Sequence, residues 1–279
     1  MLKKLWHKLP FTGGSKPTVA VVPLTGVLAP EGRSGRSISF DSVQKPLTSA
    51  FTTSGVQAVV ISINSPGGSP AQSRMIHDRI RSLSAEHKVP VITYIEDVGA
   101  SGGYMLAIAG DDVYADPFAI VGSIGVIAGG FGFTEAMHRL GIQRRVYTAG
   151  ENKSQLDPFQ PEDPADVARL ETLLGKSHTL FIDMVQRRRG EKLTPGEETL
   201  FDGKFWIAGD AQALGLIDGT GDLREVLQAR FGKDVKIRRI EIEKKSLVSK
   251  LLGLKGPLLD PQAMMTAADD HAAWARFGR

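Results

Sequence analysis

Glu96-Asp97-Val98-Gly99-Ala100-Ser101-Gly102-Gly103-Tyr104-Met105-Leu106-Ala107 is the stretch whose reading decides the fold. Ahead of it, Val89 to Ile95 is an apolar run with the pattern of a buried strand. Behind it, an apolar segment ending at Gly110 reads as a helix. Ser101 therefore falls where a strand turns into a helix, with its hydroxyl near the positive end of the helix dipole. Two glycines follow it, which keep Cβ atoms clear of an incoming molecule and leave backbone N–H groups free to face it. This is the layout that a serine nucleophile requires.

Working outward, Val19 to Leu24 is a strong strand, followed by a Gly/Ser-rich loop over 26–39. Asp41 can cap a helix reaching Phe51, with Val43, Leu47, Ala50 and Phe51 at helical spacing. The β-branched run Val56 to Ile63 stops at Asn64-Ser65-Pro66-Gly67-Gly68-Ser69-Pro70, where Ser69 caps a helix with Pro70 in its first position. Beyond Ser101, the expected elements are a strand at 113–115, a turn at Gly122 leading into a strand through Ile127, and a helix at 133–140. A strand at 142–148, a polar loop at 149–161 holding Lys153, and a long helix from Pro164 to Arg189 follow. Helices near 208–214 and 222–231 and a strand at 235–242 complete the pattern. Strands alternating with helices imply an α/β fold with a mostly parallel sheet and flanking helices, whose sites form at the carboxyl ends of strands.

Three segments are expected: a basic amphipathic lead-in over 1–17, a main domain over 18–243, and an amphipathic tail over 244–279 that packs on its own subunit or a neighbour. The lead-in has no continuous apolar core, and no stretch is long enough to span a bilayer. The location expected is cytoplasmic; a loose membrane-surface contact through Leu2, Leu5, Trp6 and Leu9 is the lesser alternative. Net charge is only +3, and the densest basic run, Arg187-Arg188-Arg189, is that of a solvated helix end, so no nucleic-acid partner is expected. There are no cysteines, which excludes disulfides, thiolate metal sites and cysteine nucleophiles.

A serine hydroxyl needs a base. None of the six histidines lies in a polar Gly-rich turn; His77 and His87 flank a helix and His138 sits within one. A lysine can serve if burial keeps it neutral, and Lys153, in a turn after a strand, is the best placed, although a lone loop lysine is ordinarily a solvated charge. The two donors for an oxyanion are the backbone N–H groups of Gly68 and Gly102. Ser123 is placed to orient the lysine amine by a hydrogen bond.

Together these blocks resemble the signal peptide peptidase A family of serine peptidases. The match runs through Asn64-Ser65-Pro66-Gly67-Gly68, Ala100-Ser101-Gly102-Gly103-Tyr104, Gly122-Ser123-Ile124-Gly125-Val126 and Gly150-Glu151-Asn152-Lys153, then Phe201-Asp202-Gly203-Lys204 and 211–218. The ordered set is far more specific than any one block. The resemblance implies a Clp protease/crotonase-like fold and a Ser–Lys dyad without cofactor or metal: Ser101 as nucleophile, Lys153 as general base, Ser123 as the lysine's partner, Gly68 and Gly102 as oxyanion hole. It also implies peptide substrates, unfolded or signal-peptide-like, and a homo-oligomer in which serine and lysine meet across a subunit boundary. Tyr104 and Met105 would lie near an apolar substrate groove. Two departures stand out: family members typically carry an N-terminal membrane anchor, and arginine is usual where Lys204 stands. The competing readings are a crotonase-like acyl-CoA enzyme, a catalytically silent scaffold, and a Ser-His-Asp peptidase of the Clp type.

Overall fold

The computed structural model describes residues 16–30, 37–194, 198–242 and 261–278. Its centre is an eight-stranded sheet with a main path β6-β5-β3-β2-β1-β8. The strands are β1 (Thr18–Thr25), β2 (Val56–Ser65), β3 (Val91–Ala100), β4 (Asp112–Ala115), β5 (Ile120–Gly122), β6 (Phe205–Ile207), β7 (Gly219–Thr220) and β8 (Lys236–Arg239). Every pairing is parallel except that of β5 with β6. β1 and β2 are nearly continuous apolar runs because both of their faces are covered.

β3 serves two neighbours along one edge. Ile92 to Ile95 pair with β4, and Val98 to Ala100 pair with β5. The strand runs on to Ala100, beyond the Ile95 boundary expected from its apolar run, because β5 supplies a second partner for its polar backbone. The strand near Gly122 precedes the glycine rather than following it.

Helices α1 (Phe40–Phe51), α2 (Pro70–His87) and α3 (Gly102–Ala107) cover one face of the sheet with the end of α5 (Pro164–Arg189). They bury Val43, Leu47, Ile76, Ile80, Leu83, Tyr104, Leu106, Phe181 and Val185 against Ala20, Val22, Val59, Ile61 and Ile95. On the opposite face, α7 (Leu223–Phe231) seats Leu227 on Val19, Val21, Ala58, Val60, Ile92 and Tyr94. The short helices α4 (Thr134–Arg139) and α6 (Ala208–Ala213) and the C-terminal α8 (Pro261–Ala275) complete the set.

Ser39, not Asp41, caps α1: its side chain accepts from Ser42 N–H while Ser42 Oγ accepts from Ser39 N–H. Asp41 lies in the first turn, where its charge suits the helix dipole. Ser69 caps α2 as expected, accepting from Gln72 N–H, with Pro70 first in the helix.

The segment 142–148 is not a strand. It is exposed and pairs with no described strand, and an apolar alternation forms β structure only where an edge receives it. From Gly125 to Asp163 no residue is buried. This arm is held by contacts within itself: Phe133 stacks on Phe159 at 5.4 Å, Phe133 N–H donates to Pro158 O, and Arg144 reaches both the Phe159 ring and Asp157. The lead-in leucines and Trp6, and the tail residues 247–257, lie outside the described residues.

Candidate active site

The site begins with the turn after β2. Gly67 and Gly68 take φ of +103° and +137°, a region open to glycine and strained for other residues. Leu28 N–H donates to Gly67 O at 2.8 Å, and Ser69 N–H donates to Leu28 O at 2.7 Å. These two bonds staple the turn to the 26–30 loop while no described residue accepts from Gly68 N–H. A Cβ at Gly68 would meet Leu28 O at 2.1 Å, so only glycine can be held so close.

Ser101 stands between β3 and α3 with φ +52° and ψ −120°. Such a conformation costs about 1–3 kcal/mol in an L residue and persists only where its surroundings impose it. Here they do: Ser101 N–H donates to Gly122 O at 2.8 Å, and Ser101 O accepts from Tyr104 and Met105 N–H. The side chain makes no capping bond to the helix it precedes, and the residue is half-buried. Gly99-Ala100-Ser101-Gly102-Gly103 is thus a sharp strand–serine–helix elbow, and its G-x-S-x-G spacing was a sequence signal for that geometry that the reading above left unused.

The two turns touch. A Cβ placed on Gly67 would lie 2.8 Å from both Gly102 N and Ser101 Cβ, and one on Gly102 would meet Ser73 Oγ at 2.4 Å. Gly68 and Gly102 therefore come from two abutting backbone segments beside Ser101, and neither N–H has an acceptor among the described residues. Leu28, which anchors the first turn, carried no sequence signal of its own.

Ser123 follows β5 directly. It is buried, with φ +54°, and its N–H donates to Lys204 O at 2.6 Å. That bond brings the Asp202-Gly203-Lys204 block against the Gly122-Ser123 turn. His178, on α5, meets Ile124 O through Nε2 at 3.1 Å; a carbonyl can only accept, so Nε2 carries the proton. Of the histidines, this one reaches the Ser123 turn, as a support for the backbone.

Lys153 is placed differently. It is exposed, in a turn where its N–H donates to Gly150 O at 3.3 Å, on the arm that has no buried residue. Among the described residues no hydrogen bond joins it to Ser101 or Ser123. One chain thus brings together Ser101, Gly68, Gly102 and the Ser123 turn, and leaves Lys153 outside.

Tyr104 and Met105 belong to the core, not to a groove. Tyr104 is fully buried, its hydroxyl donates to Leu216 O at 2.8 Å, and burial pushes its pKa well up. The glycine after the elbow turns α3 inward, which buries the residues that follow. At the far end of α3, Thr93 Oγ1 donates to Ala107 O, Arg188 to Ile108 O and Gly110 O, and Arg81 to Ala109 O. The helix behind the nucleophile is thereby tied down on its C-terminal side.

A strained serine elbow on a parallel sheet, flanked by two backbone donors with no acceptor among the described residues, stands on a Clp protease/crotonase-like fold in the arrangement that acyl-transfer chemistry uses. The fold is shared with two solved structures of the 1510-N membrane-bound stomatin-specific protease. One is a serine-to-alanine mutant (TM-score 0.51, 18% identity, 81% of this chain and 98% of that one), the other a lysine-to-alanine mutant with a substrate peptide (TM-score 0.54, 17% identity, 91% and 99%). The model of peptidase family S49 matches residues 84–237, and the chain belongs to that family. The Arabidopsis thaliana protein named "Serine protease SPPA, chloroplastic" is 28% identical over 253 residues, covering 87% of this chain and 37% of that protein.

A Brucella abortus protein named "Na(+)/H(+) antiporter NhaA" is 45% identical over 271 residues, covering 93% of this chain and again 37% of the relative. The chain thus spans little more than a third of these relatives' length. No helix among the described residues is long and apolar enough to cross a membrane. The antiporter name is that of the longer relative, of which this chain matches 37%. Family membership also sets aside the acyl-CoA enzyme reading.

Proposed function

We propose that the protein is a serine endopeptidase acting on extended, unfolded or signal-peptide-like segments through Ser101 and Lys153. The observation that carries this reading is the Ser101 elbow with the free N–H groups of Gly68 and Gly102 beside it. Ser101 Oγ attacks the scissile carbonyl carbon as a neutral Lys153 amine takes the hydroxyl proton. The negative charge that develops on the carbonyl oxygen is met by the two backbone donors. Collapse expels the amine product, which receives that proton from the Lys153 ammonium. A water then attacks the acyl-enzyme with Lys153 again as base, freeing Ser101.

Lys153 does this work from a neighbouring copy. In a single chain it is exposed, and a solvated lysine stays charged at neutral pH; a base must be desolvated. The arm that carries it exposes Ile127, Phe131, Leu140, Ile142 and Tyr147, apolar side chains suited to burial against a second subunit. Closing that contact would bury the amine and bring it to Ser123. The two solved neighbours, a serine mutant and a lysine mutant holding a substrate peptide, accord with a serine–lysine pair.

The test is hydrolysis of a fluorogenic peptide library by wild type, Ser101→Ala, Lys153→Ala and a co-assembled mixture of the two mutants. Both mutants should be inactive and the mixture should regain activity, because one subunit supplies the serine and the other the lysine. Hydrolysis by Ser101→Ala at the wild-type rate would end the reading.

A further inference from the structure

The strand that delivers Ser101 carries Val98 and Ala100, both fully buried. In register beside them lie Ile120 and Gly122 of β5, which pair with Ile207 and Phe205 of β6. Alternate residues share a sheet face, so these six positions form one apolar surface across three strands. It ends at the residue before the nucleophile.

The cover on this surface comes from the other end of the chain. Phe277, 6% exposed, packs on Val98 and Ala100 with Trp274 and Ile120 beside it. Its ring meets Phe205 edge-on, centroids 5.1 Å apart. The cover is partial, since Phe205 and Ile207 remain 45% and 48% exposed. It is also narrow: between residues 267 and 278, Phe277 is the one buried residue. Held by these two aromatic side chains, three residues apart, the end of the helix can leave its seat without unfolding the sheet.

We propose that the last turn of α8 is a reversible cover on the apolar sheet face leading to Ser101, displaced when a peptide occupies that face. The inference rests on Ser101 being the nucleophile. Phe277 packs on Ala100, the residue before Ser101, and an extended peptide advances about 3.3 Å per residue, so a peptide held with its carbonyl at Ser101 has its flanking side chains within a residue or two of that ring. Helix and substrate thus draw on one apolar face, and the fraction of time the helix is docked scales down the apparent affinity for peptide.

Binding is measured in the Ser101→Ala background with a fluorescein-labelled, Leu- and Phe-rich decapeptide. Replacing Trp274 and Phe277 by Ala in the full chain should tighten binding about tenfold, as expected for a cover docked roughly nine-tenths of the time. With Ser101 restored, KM should fall by the same factor and kcat should hold. Unchanged or weaker binding by a variant that melts like its parent overturns the proposal.

A second readout does not depend on that variant folding. The chain has no cysteine, so Ala275→Cys carries a single environment-sensitive dye on an exposed position of α8. Saturating peptide should move the dye to a solvent-like emission with the same midpoint as binding. A dye that does not respond while peptide binds overturns the proposal, and so does a dye signal that changes on dilution alone, which would mean that the helix is exchanged between copies. A wild-type protein without Ser101-dependent hydrolysis would sink the catalytic reading, while these two binding readouts would still report on the cover.

Discussion

Gly67→Ala places one methyl group where the two turns of the site touch. The new Cβ would stand 2.8 Å from Gly102 N, 2.8 Å from Ser101 Cβ and 3.0 Å from Ala100 O, all of them atoms of the elbow itself. None is the free end of a flexible side chain, so relief requires the backbone segments to part until the contacts reach ordinary separation, a shift of about half an ångström. The residue also sits at φ +103°, which for alanine costs about 1–3 kcal/mol. Overpacking adds roughly 1–3 kcal/mol. Total destabilisation should therefore be about 2–6 kcal/mol. The larger effect is on catalysis, because the gap that opens separates Gly68 from Gly102. Misplacing one oxyanion donor costs about 10²–10³ in kcat. We expect kcat to fall about 10²-fold with KM nearly unchanged, since the donors act on charge that develops only in the transition state. Steady-state hydrolysis and urea unfolding, run side by side, separate the two effects. Gly209→Ala, on α6, is the control: a Cβ there meets nothing within 4 Å, and it should lower neither quantity. A folded Gly67→Ala protein with kcat within about threefold of wild type would refute the abutting-turn account of the oxyanion hole.

Two further predictions concern stability. His77 is buried on α2 with no described partner for Nε2; burial holds its pKa below the ordinary histidine value of 6.5, while Asp78 opposes this and Arg188 and Arg81 reinforce it. The unfolded chain therefore takes up a proton first as pH falls, so stability declines below about pH 6.5 until the folded value is passed, by at most about 1.4 kcal/mol per pH unit. Urea unfolding between pH 7.5 and 5 should show this slope reduced in His77→Phe; an unchanged slope would assign it to other groups.

Asp218 accepts from Arg189 Nη1 at 2.7 Å, Lys192 Nζ at 2.5 Å and Val113 N–H at 2.8 Å. Burial alone would push its pKa up, but the bonds from Arg189 and Lys192 outweigh this and hold it below the usual carboxylate range. The pair's contribution is present above about pH 4 and is lost as pH falls through the folded value. Asp218→Ala leaves Arg189, 3% exposed, with Gly215 O alone, and should cost about 3–5 kcal/mol in urea unfolding at pH 7. A loss below about 1 kcal/mol would mean that the guanidinium finds other compensation.

Much of the architecture was legible in local pattern. The β-branched runs at 56–63 and 89–95, the Ser69-Pro70 start of α2 and the Pro164 to Arg189 helix all signal through neighbours in sequence, and the structure has them there. The errors have physical causes. Asp41 and Ser39 are both able caps, and the choice turns on which backbone residue leaves the helix: Ser39 is the extended one, at φ −121° and ψ 159°. The run 142–148 has strand composition, but pairing is decided by whether a partner edge lies alongside.

The same division applies to the site. The sequence by itself determined the α/β class and the local residue pattern of the candidate site: a serine at a strand–helix turn, and glycines in the turns beside it. Those are properties of short stretches, in which sterics and periodicity act between near neighbours. Tertiary structure alone decided that Gly67 abuts the Ser101 elbow, that Leu28 and Gly122 hold the two turns, and that Phe277 lies on the strand leading into the nucleophile. It also decided that Tyr104 faces the core and that Lys153 stands on an exposed arm. Each is a contact between residues far apart in the chain, fixed by which strands pair and which faces are left to cover, and no local pattern encodes it.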